Sequence, residues 1–188
     1  DELVEYIKNL GIDHINVLVL SHPHEDHMGG VAAILNNFKV DKIYGPDVSD
    51  IPSIEEDQWF DSMMNAVTRV DDERNAGIEE EKQVSIWNLP KNSRDKFVEF
   101  NIGDAVVEFY APLEDEYSDL NDYSICAKVS YGEIDLFLTG DATSKVERDL
   151  IKEKCDLDVE IFHASHHGSN TGNSKKFLEE LSPECIVI

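Results

Sequence analysis

The stretch Ser21-His22-Pro23-His24-Glu25-Asp26-His27 puts four metal-ligand side chains, His22, His24, Asp26 and His27, into six consecutive positions. Imidazole nitrogens and carboxylate oxygens are the donors that zinc and related first-row ions accept. A polar loop whose histidines only face water does not account for that density. Residues 15–20 before it form a short β-rich run that reads as a buried strand. Behind it, after Gly29-Gly30, Val31, Ile34, Leu35 and Phe38 recur at helical spacing. The cluster therefore falls on a strand-to-helix loop, which can turn its side chains inward together.

Elsewhere the periodicity predicts a mixture of strands and helices without a strict βαβ rhythm. Leu3, Tyr6, Ile7 and Leu10 trace a helical stripe closed by Gly11. Ser53 and Glu56 fit a capping box opening a helix over 54–70, with Trp59, Met63, Val67 and Val70 as its core face. Residues 71–96 carry mixed charge and read as a variable surface connection with one short strand at 84–87. Further strands are expected at 105–110, 124–130 and 134–138, the last two paired as a hairpin through Tyr131-Gly132-Glu133. A helix on Val146, Leu150 and Ile151, a strand at 159–162, a polar loop and a helix at 174–181 follow.

At 188 residues, with no linker-like segment or repeat, the chain is expected to form one domain over 1–188. Cys126, Cys155 and Cys185 are odd in number and far apart, so they read as buried small hydrophobes. Lysine and arginine number 16 against 40 aspartates and glutamates, a net charge of −24 that repels polyanions except beside metal ions or a local basic patch. No run approaches the roughly 18 to 20 apolar residues of a membrane span. The chain opens inside a helical pattern without a signal peptide and stops on Cys185-Ile186-Val187-Ile188. It reads as a soluble segment excised from a longer protein, either cytoplasmic or attached to a membrane protein outside it. No feature speaks to an oligomer.

Three later stretches complete a pattern: Asn121-Asp122-Tyr123-Ser124, Leu138-Thr139-Gly140-Asp141 and Ser165-His166-His167-Gly168-Ser169. With the His-x-His-x-Asp-His loop, they make the chain resemble the metallo-β-lactamase superfamily. Within it the resemblance is to the soluble hydrolase domain of the ComEC competence proteins and their free-standing relatives. The similarity runs from about Leu3 to Ile188, with the connection at 71–96 unmatched. It implies an α+β fold, a four-layer αββα sandwich truncated here at both ends, with metals in a cleft at one edge of the sheets.

The same resemblance implies the ligand set. His22 and His24 would hold one metal, Asp26 and His27 the other, and Asp141 would bridge them. His167 is the expected second-site ligand, with His166 the alternative, because adjacent strand-end residues point to opposite sides. Asp141 could instead cap the helix beginning near Thr143. His163 reads as a core or sheet-face residue, and His14, beside Asp13, as solvent-facing. Many superfamily members supply a further first-site histidine between the positions of His27 and His163; here none occurs, and Asn121 and Ser124 stand in the matching region, as in the competence-type relatives.

The implied cofactor is one or two Zn2+ ions, with Mn2+ as the alternative, and the implied chemistry is hydrolysis by metal-bound hydroxide. Asp26 would orient or deprotonate the water, and His166 would stabilise charge or protonate the leaving group. Asn121, Ser124, Ser169 and Asn170, with Thr171, would line the substrate side. Phosphodiesters, including single-stranded nucleic acid cut by a nuclease, are the favoured substrate class. Small phosphodiesters or phosphocholine-type esters are the alternative, and a catalytically silent interaction domain is the reading from another class.

Overall fold

The computed structural model describes residues 2–47, 58–88, 98–114 and 116–188. Contacts concentrate in two compact units, Asp1–Leu89 and Pro90–Ile188. Among the described residues no helix is long and apolar enough to cross a membrane.

The first unit is a parallel sheet dressed with helices. Helix α1 (Glu2–Asn9) leads into β1 (His14–Val19), the short α2 (Glu25–Met28), α3 (Val31–Asn37), β2 (Lys39–Tyr44), α4 (Gln58–Asn75) and β3 (Trp87–Asn88). The sheet order is β1-β2-β3, all parallel, with His14 opposite Lys39 and Val19 opposite Tyr44. A parallel neighbour demands a crossover, and α2 and α3 supply it. The expected stripe of α3 is buried, with Val31, Ile34, Leu35 and the following Phe38 joining Met28, Ile43, Met63 and Ile86 in one core.

Two expectations shift here. In α1 the buried residue is Val4 with Ile7 packed beside it, while Leu3, Tyr6 and Leu10 are exposed, so of the predicted stripe Ile7 alone joins the core. The capping pair Ser53 and Glu56 lies outside the described residues, and the helix it was to open runs on to Asn75. That extension has a cause: Arg69 donates to the Leu35 carbonyl at 3.0 Å and Arg74 to the Asp41 carbonyl at 2.8 Å, tying the polar part of α4 to α3 and β2. His14 does not simply face solvent; its Nε2 lies 2.8 Å from Asp41 Oδ2 on the neighbouring strand.

The second unit contains β4 (Val98–Ile102), β5 (Ala105–Phe109), β6 (Ala127–Tyr131), β7 (Ile134–Leu138), α5 (Ser144–Lys152), β8 (Ile161–His163), α6 (Lys175–Leu181) and β9 (Cys185–Val187). They form one sheet in the order β4-β5-β6-β7-β8-β9, antiparallel up to β7 and parallel from β7 to β9. The predicted hairpin is present: Tyr131 pairs with Ile134 around a two-residue turn whose first residue, Gly132, sits at φ +63, a backbone position that glycine adopts without penalty. Strands β4 and β9 were not foreseen; β9 is the terminal apolar run paired to β8. The core gathers Phe137, Phe162 and Phe177, all fully buried, with edge-on ring contacts at 6.3 and 6.0 Å to Phe177.

Of the cysteines only Cys126 is buried; Cys155 is half-buried and Cys185 exposed, and all three are free thiols. Burial pushes the Cys155 thiol up to about 11, with the Glu153 carboxylate adding to it.

Lys128 on β6 is a buried ammonium, its side chain 4% exposed, held by Asp135 and Asp156 at 2.9 Å each. Burial alone would raise the Asp135 carboxyl, yet the Lys128 hydrogen bond and charge outweigh it and hold Asp135 below its ordinary 3.8. For Lys128 burial works downward, and the hydrogen bonds to Asp156 and Asp135 carry it above its ordinary 10.5. A depressed carboxyl contributes stability above its unfolded value and loses it as pH falls through the folded one; a raised ammonium loses its contribution only as pH rises beyond 10.5. Lys128→Met is therefore expected to cost about 2 kcal/mol at neutral pH, less than a fully buried broken pair because both carboxylates keep water contact. Urea unfolding across pH checks it: the variant should lose the part of the acid-side decline that Asp135 causes.

Candidate metal centre

Within the first unit, β1 ends at Val19 and the chain turns directly into the histidine loop, at the carboxyl end of a parallel strand, where open α/β sheets bind ligands. The loop is wound tightly: the His22 carbonyl accepts the His24 N–H at 2.9 Å, and the His24 carbonyl accepts from His27 and Met28 at 3.1 and 2.9 Å. His24 is the N-terminal flanking residue of α2, so Asp26 and His27 ride on that one turn of helix. His22 is fully buried, His24 and His27 are half-buried, and Asp26 is exposed.

The donor atoms are already close. His22 Nε2 lies 3.0 Å from His24 Nδ1, and His27 Nε2 lies 3.6 Å from Asp26 Oδ2. Zinc bonds of about 2.0–2.1 Å place neighbouring ligand atoms about 3.3–3.4 Å apart in a tetrahedron, so both spacings suit two donors sharing one ion. Ser21 supplies the orientation. Its Oγ stands 3.1 Å from Nδ1 of His22 and 3.1 Å from Nδ1 of His27. When both rings carry their proton on Nδ1, this single oxygen accepts both hydrogen bonds, leaving each Nε2 lone pair for a ligand. Ser21 was not singled out in the sequence; its only signal is its place directly before His22.

Within the second unit, strand register does the assembling. Leu138 at the end of β7 lies opposite His163 at the end of β8, so the loops leaving the two strands start side by side. Three residues on from each are Asp141 and His166, and the His166 N–H donates to the Gly140 carbonyl at 3.1 Å. Asp141 is buried, with His167 Nε2 at 3.5 Å and His166 Nε2 at 3.7 Å from the same carboxylate oxygen. The expectation that only one of the two histidines can face the site assumed strand alternation. Here they lie on a turn with left-handed backbone, φ +49 and +52, and both rings come to Asp141. Two successive left-handed non-glycine residues cost on the order of 1–2 kcal/mol each, strain that the surrounding contacts must overcome.

Asp141 is not the cap of α5. Thr143 is, its side chain accepting from the Lys145 N–H, and its own N–H and hydroxyl both donate to Asp122 Oδ1 at 3.2 and 2.7 Å. Ser124 is fully buried and its Oγ accepts the Asp141 N–H at 3.1 Å, which anchors the aspartate's backbone. Asn121 Oδ1 is buried without a hydrogen-bond partner among the described residues. Ser169 and Asn170 lie on the outer side of the histidine turn, half-buried and exposed, and Thr171 Oγ1 stands 2.9 Å from His166 Nδ1. His163 is half-buried at the end of β8, in keeping with a sheet-face residue.

Comparison with known proteins places these features in a family. The metallo-beta-lactamase superfamily profile matches residues 1–188. ComE operon protein 3 of Bacillus subtilis is 22% identical over 188 residues, taking in 99% of this chain and 21% of that protein. Competence protein ComA of Neisseria gonorrhoeae is 38% identical over 81 residues, 43% of this chain and 12% of that protein. Hydroxyacylglutathione hydrolase of Aeromonas hydrophila is 38% identical over 47 residues, 25% of this chain and 18% of that protein. The chain thus spans about a fifth or less of the length of these relatives. Among solved structures, CmlA, a diiron beta-hydroxylase from Streptomyces venezuelae, superposes with a TM-score of 0.51 at 12% identity, covering 93% of this chain and 35% of that one. That likeness is one of fold. Since the profile takes in both units from end to end, strands and histidine-bearing loops alike, the chain belongs to the metallo-beta-lactamase superfamily.

Proposed function

We propose that the chain is a metal-dependent hydrolase acting on phosphodiesters, with His22, His24, Asp26, His27, Asp141 and His167 as its ligand set. The observation that carries the metal reading is the 3.0 Å approach of His22 Nε2 and His24 Nδ1, which brings two donor atoms to the spacing of a shared ion. The donor chemistry, all imidazole and carboxylate, fits Zn2+, with Mn2+ as the alternative. A divalent ion held by such a set would supply a water of lowered pKa and positive charge to stabilise the phosphate oxygens as the phosphorus is attacked.

The side chains divide the remaining work. Asp26 is exposed and adjacent to His27, placed to accept a proton from attacking water. His166, held at Nδ1 by Thr171, presents Nε2 toward Asp141 and serves the leaving group or the developing charge. Asn121, Ser169 and Asn170 meet substrate, while Ser124 acts on it through the Asp141 backbone. The phosphodiester class rests on the resemblance to competence proteins, and the net charge of −24 restricts it to single strands or small diesters rather than long duplex.

The test is metal content by elemental analysis together with hydrolysis of bis-p-nitrophenyl phosphate, with and without chelator. Zinc or manganese should copurify, and chelation should lower turnover by at least about 10²-fold, in line with loss of the principal electrostatic element of a site. Metal binding with turnover of S-lactoylglutathione but not of phosphodiesters would move the substrate to thioesters. Neither metal nor turnover would favour a silent interaction domain.

A further inference from the structure

We propose that Glu147 and Asn173, two residues outside the ligand set, are positioning residues that hold His166 and His167 in the geometry that turns both rings to Asp141. The proposal rests on the metal-centre reading above and names the device on which the approach of the two histidines to Asp141 depends.

The turn Ser165-His166-His167-Gly168-Ser169 is bracketed at both ends by one side chain. Asn173 Oδ1 accepts the Ser165 N–H at 2.9 Å, and its Nδ2 donates to the Ser165 carbonyl at 2.9 Å and the Ser169 carbonyl at 2.8 Å. The amide therefore spans the five residues of the turn, and the two left-handed histidines lie between its attachment points. Nothing else bonds both ends among the described residues. Ser165 is fully buried, and its hydroxyl reaches back to the Ala142 carbonyl, beside Asp141. Gly172, next to Asn173, packs where a Cβ would meet the Ala142 carbonyl oxygen at 2.8 Å, so the clamp and the Asp141 turn share one surface.

Asn173 is itself left-handed, at φ +60, and its backbone N–H is taken by the Glu147 carboxylate, which also accepts the Ser174 N–H at 3.1 Å. Glu147 projects from α5 and is 1% exposed. A carboxylate buried to that degree is costly unless hydrogen-bonded, and it accepts from these two amides. The chain of contacts runs from α5 through Glu147 and Asn173 to the histidine turn. Partners that orient metal ligands at one remove change metal affinity when they are lost.

Asn173→Gly separates this role from simple backbone strain, because glycine keeps the left-handed conformation while all three side-chain bonds disappear. Co2+ affinity by chelator competition, the visible ligand-field bands of bound Co2+, and amide hydrogen exchange are measured on the full chain. The variant should bind Co2+ about 10–100-fold more weakly with altered bands. The His166 and Ser169 amides should exchange at least about tenfold faster, while those of the β6–β7 hairpin keep wild-type rates. Lys175→Ala, on the exposed side of α6, should match wild type throughout. Glu147→Gln carries the same test if Asn173→Gly does not fold, since its amide NH2 opposes a backbone donor. Co2+ affinity within about twofold of wild type in the folded variant overturns the proposal. If the wild type takes up no Co2+, the metal reading fails by itself and exchange decides: faster exchange in the variant upholds the clamp, unchanged exchange overturns it.

Discussion

Replacing His24 with alanine is expected to lower metal-dependent turnover by at least about 10²-fold, with a matching fall in bound metal and little change in stability. The choice of residue matters. His22 is fully buried, so its truncation would leave a cavity and unfolding would mimic loss of function. His24 is half-buried, and although it flanks the start of α2 its side chain makes no capping hydrogen bond. The bonds that wind the loop come from its backbone carbonyl, which alanine retains. The stability change should be about 1 kcal/mol, the loss of the 3.0 Å partner of the buried His22 Nε2, well short of the cost of truncating His22 itself. Elemental analysis, chelator-sensitive turnover and urea unfolding on the same preparation separate the cases. Full metal content with wild-type turnover would remove His24 from the ligand set.

That experiment probes the part of the chain most legible beforehand. Four ligand types in six positions behind a strand are a local pattern, and locality is what a sequence displays. The arrangement of the paired histidines was less legible. Their expected opposition assumed extended backbone, whereas the turn with left-handed His166 and His167 is bonded at both ends by Asn173, six and seven residues beyond the two histidines, at no local period. Asn173 and Glu147 carry no motif, and the pairing of position 147 with position 173 is visible only once α5 and α6 have packed. Ser21 was equally silent, its contacts being with two ring nitrogens five residues apart in sequence.

The fold shows the same division. The hairpin of β6 and β7, the stripe of α3 and the helix on Val146 and Leu150 follow from periodicity and turn residues, because their burial repeats at a fixed local period. Strand β4, whose burial alternates weakly, and the three-residue β9 are strands by virtue of their partners. Strand β2 was missed for a related reason: Lys39, Asp41 and Lys42 interrupt its apolar positions, and pairing with β1 on one side and β3 on the other makes it a strand.

Phe162→Ala is expected to produce the largest loss of stability, about 3–5 kcal/mol. The ring is fully buried in β8, flanked by β7 and β9, and meets Phe177 of α6 edge-on at 6.0 Å. Strands on both sides fix the backbone, so the void cannot close by a strand moving in, and Phe177 loses an aromatic neighbour as well as apolar area. Ile134→Ala, at a side chain 48% exposed on the hairpin, removes apolar atoms that remain in contact with water and should cost under about 1 kcal/mol. Urea unfolding of both variants, with unchanged dependence on denaturant, measures the difference. A Phe162→Ala cost no greater than that of Ile134→Ala would mean that β8 is not packed against α6. The loop that brings His166 and His167 to Asp141 leaves from β8 and runs into α6, so the packing of those two elements sets how rigidly the histidine turn is held.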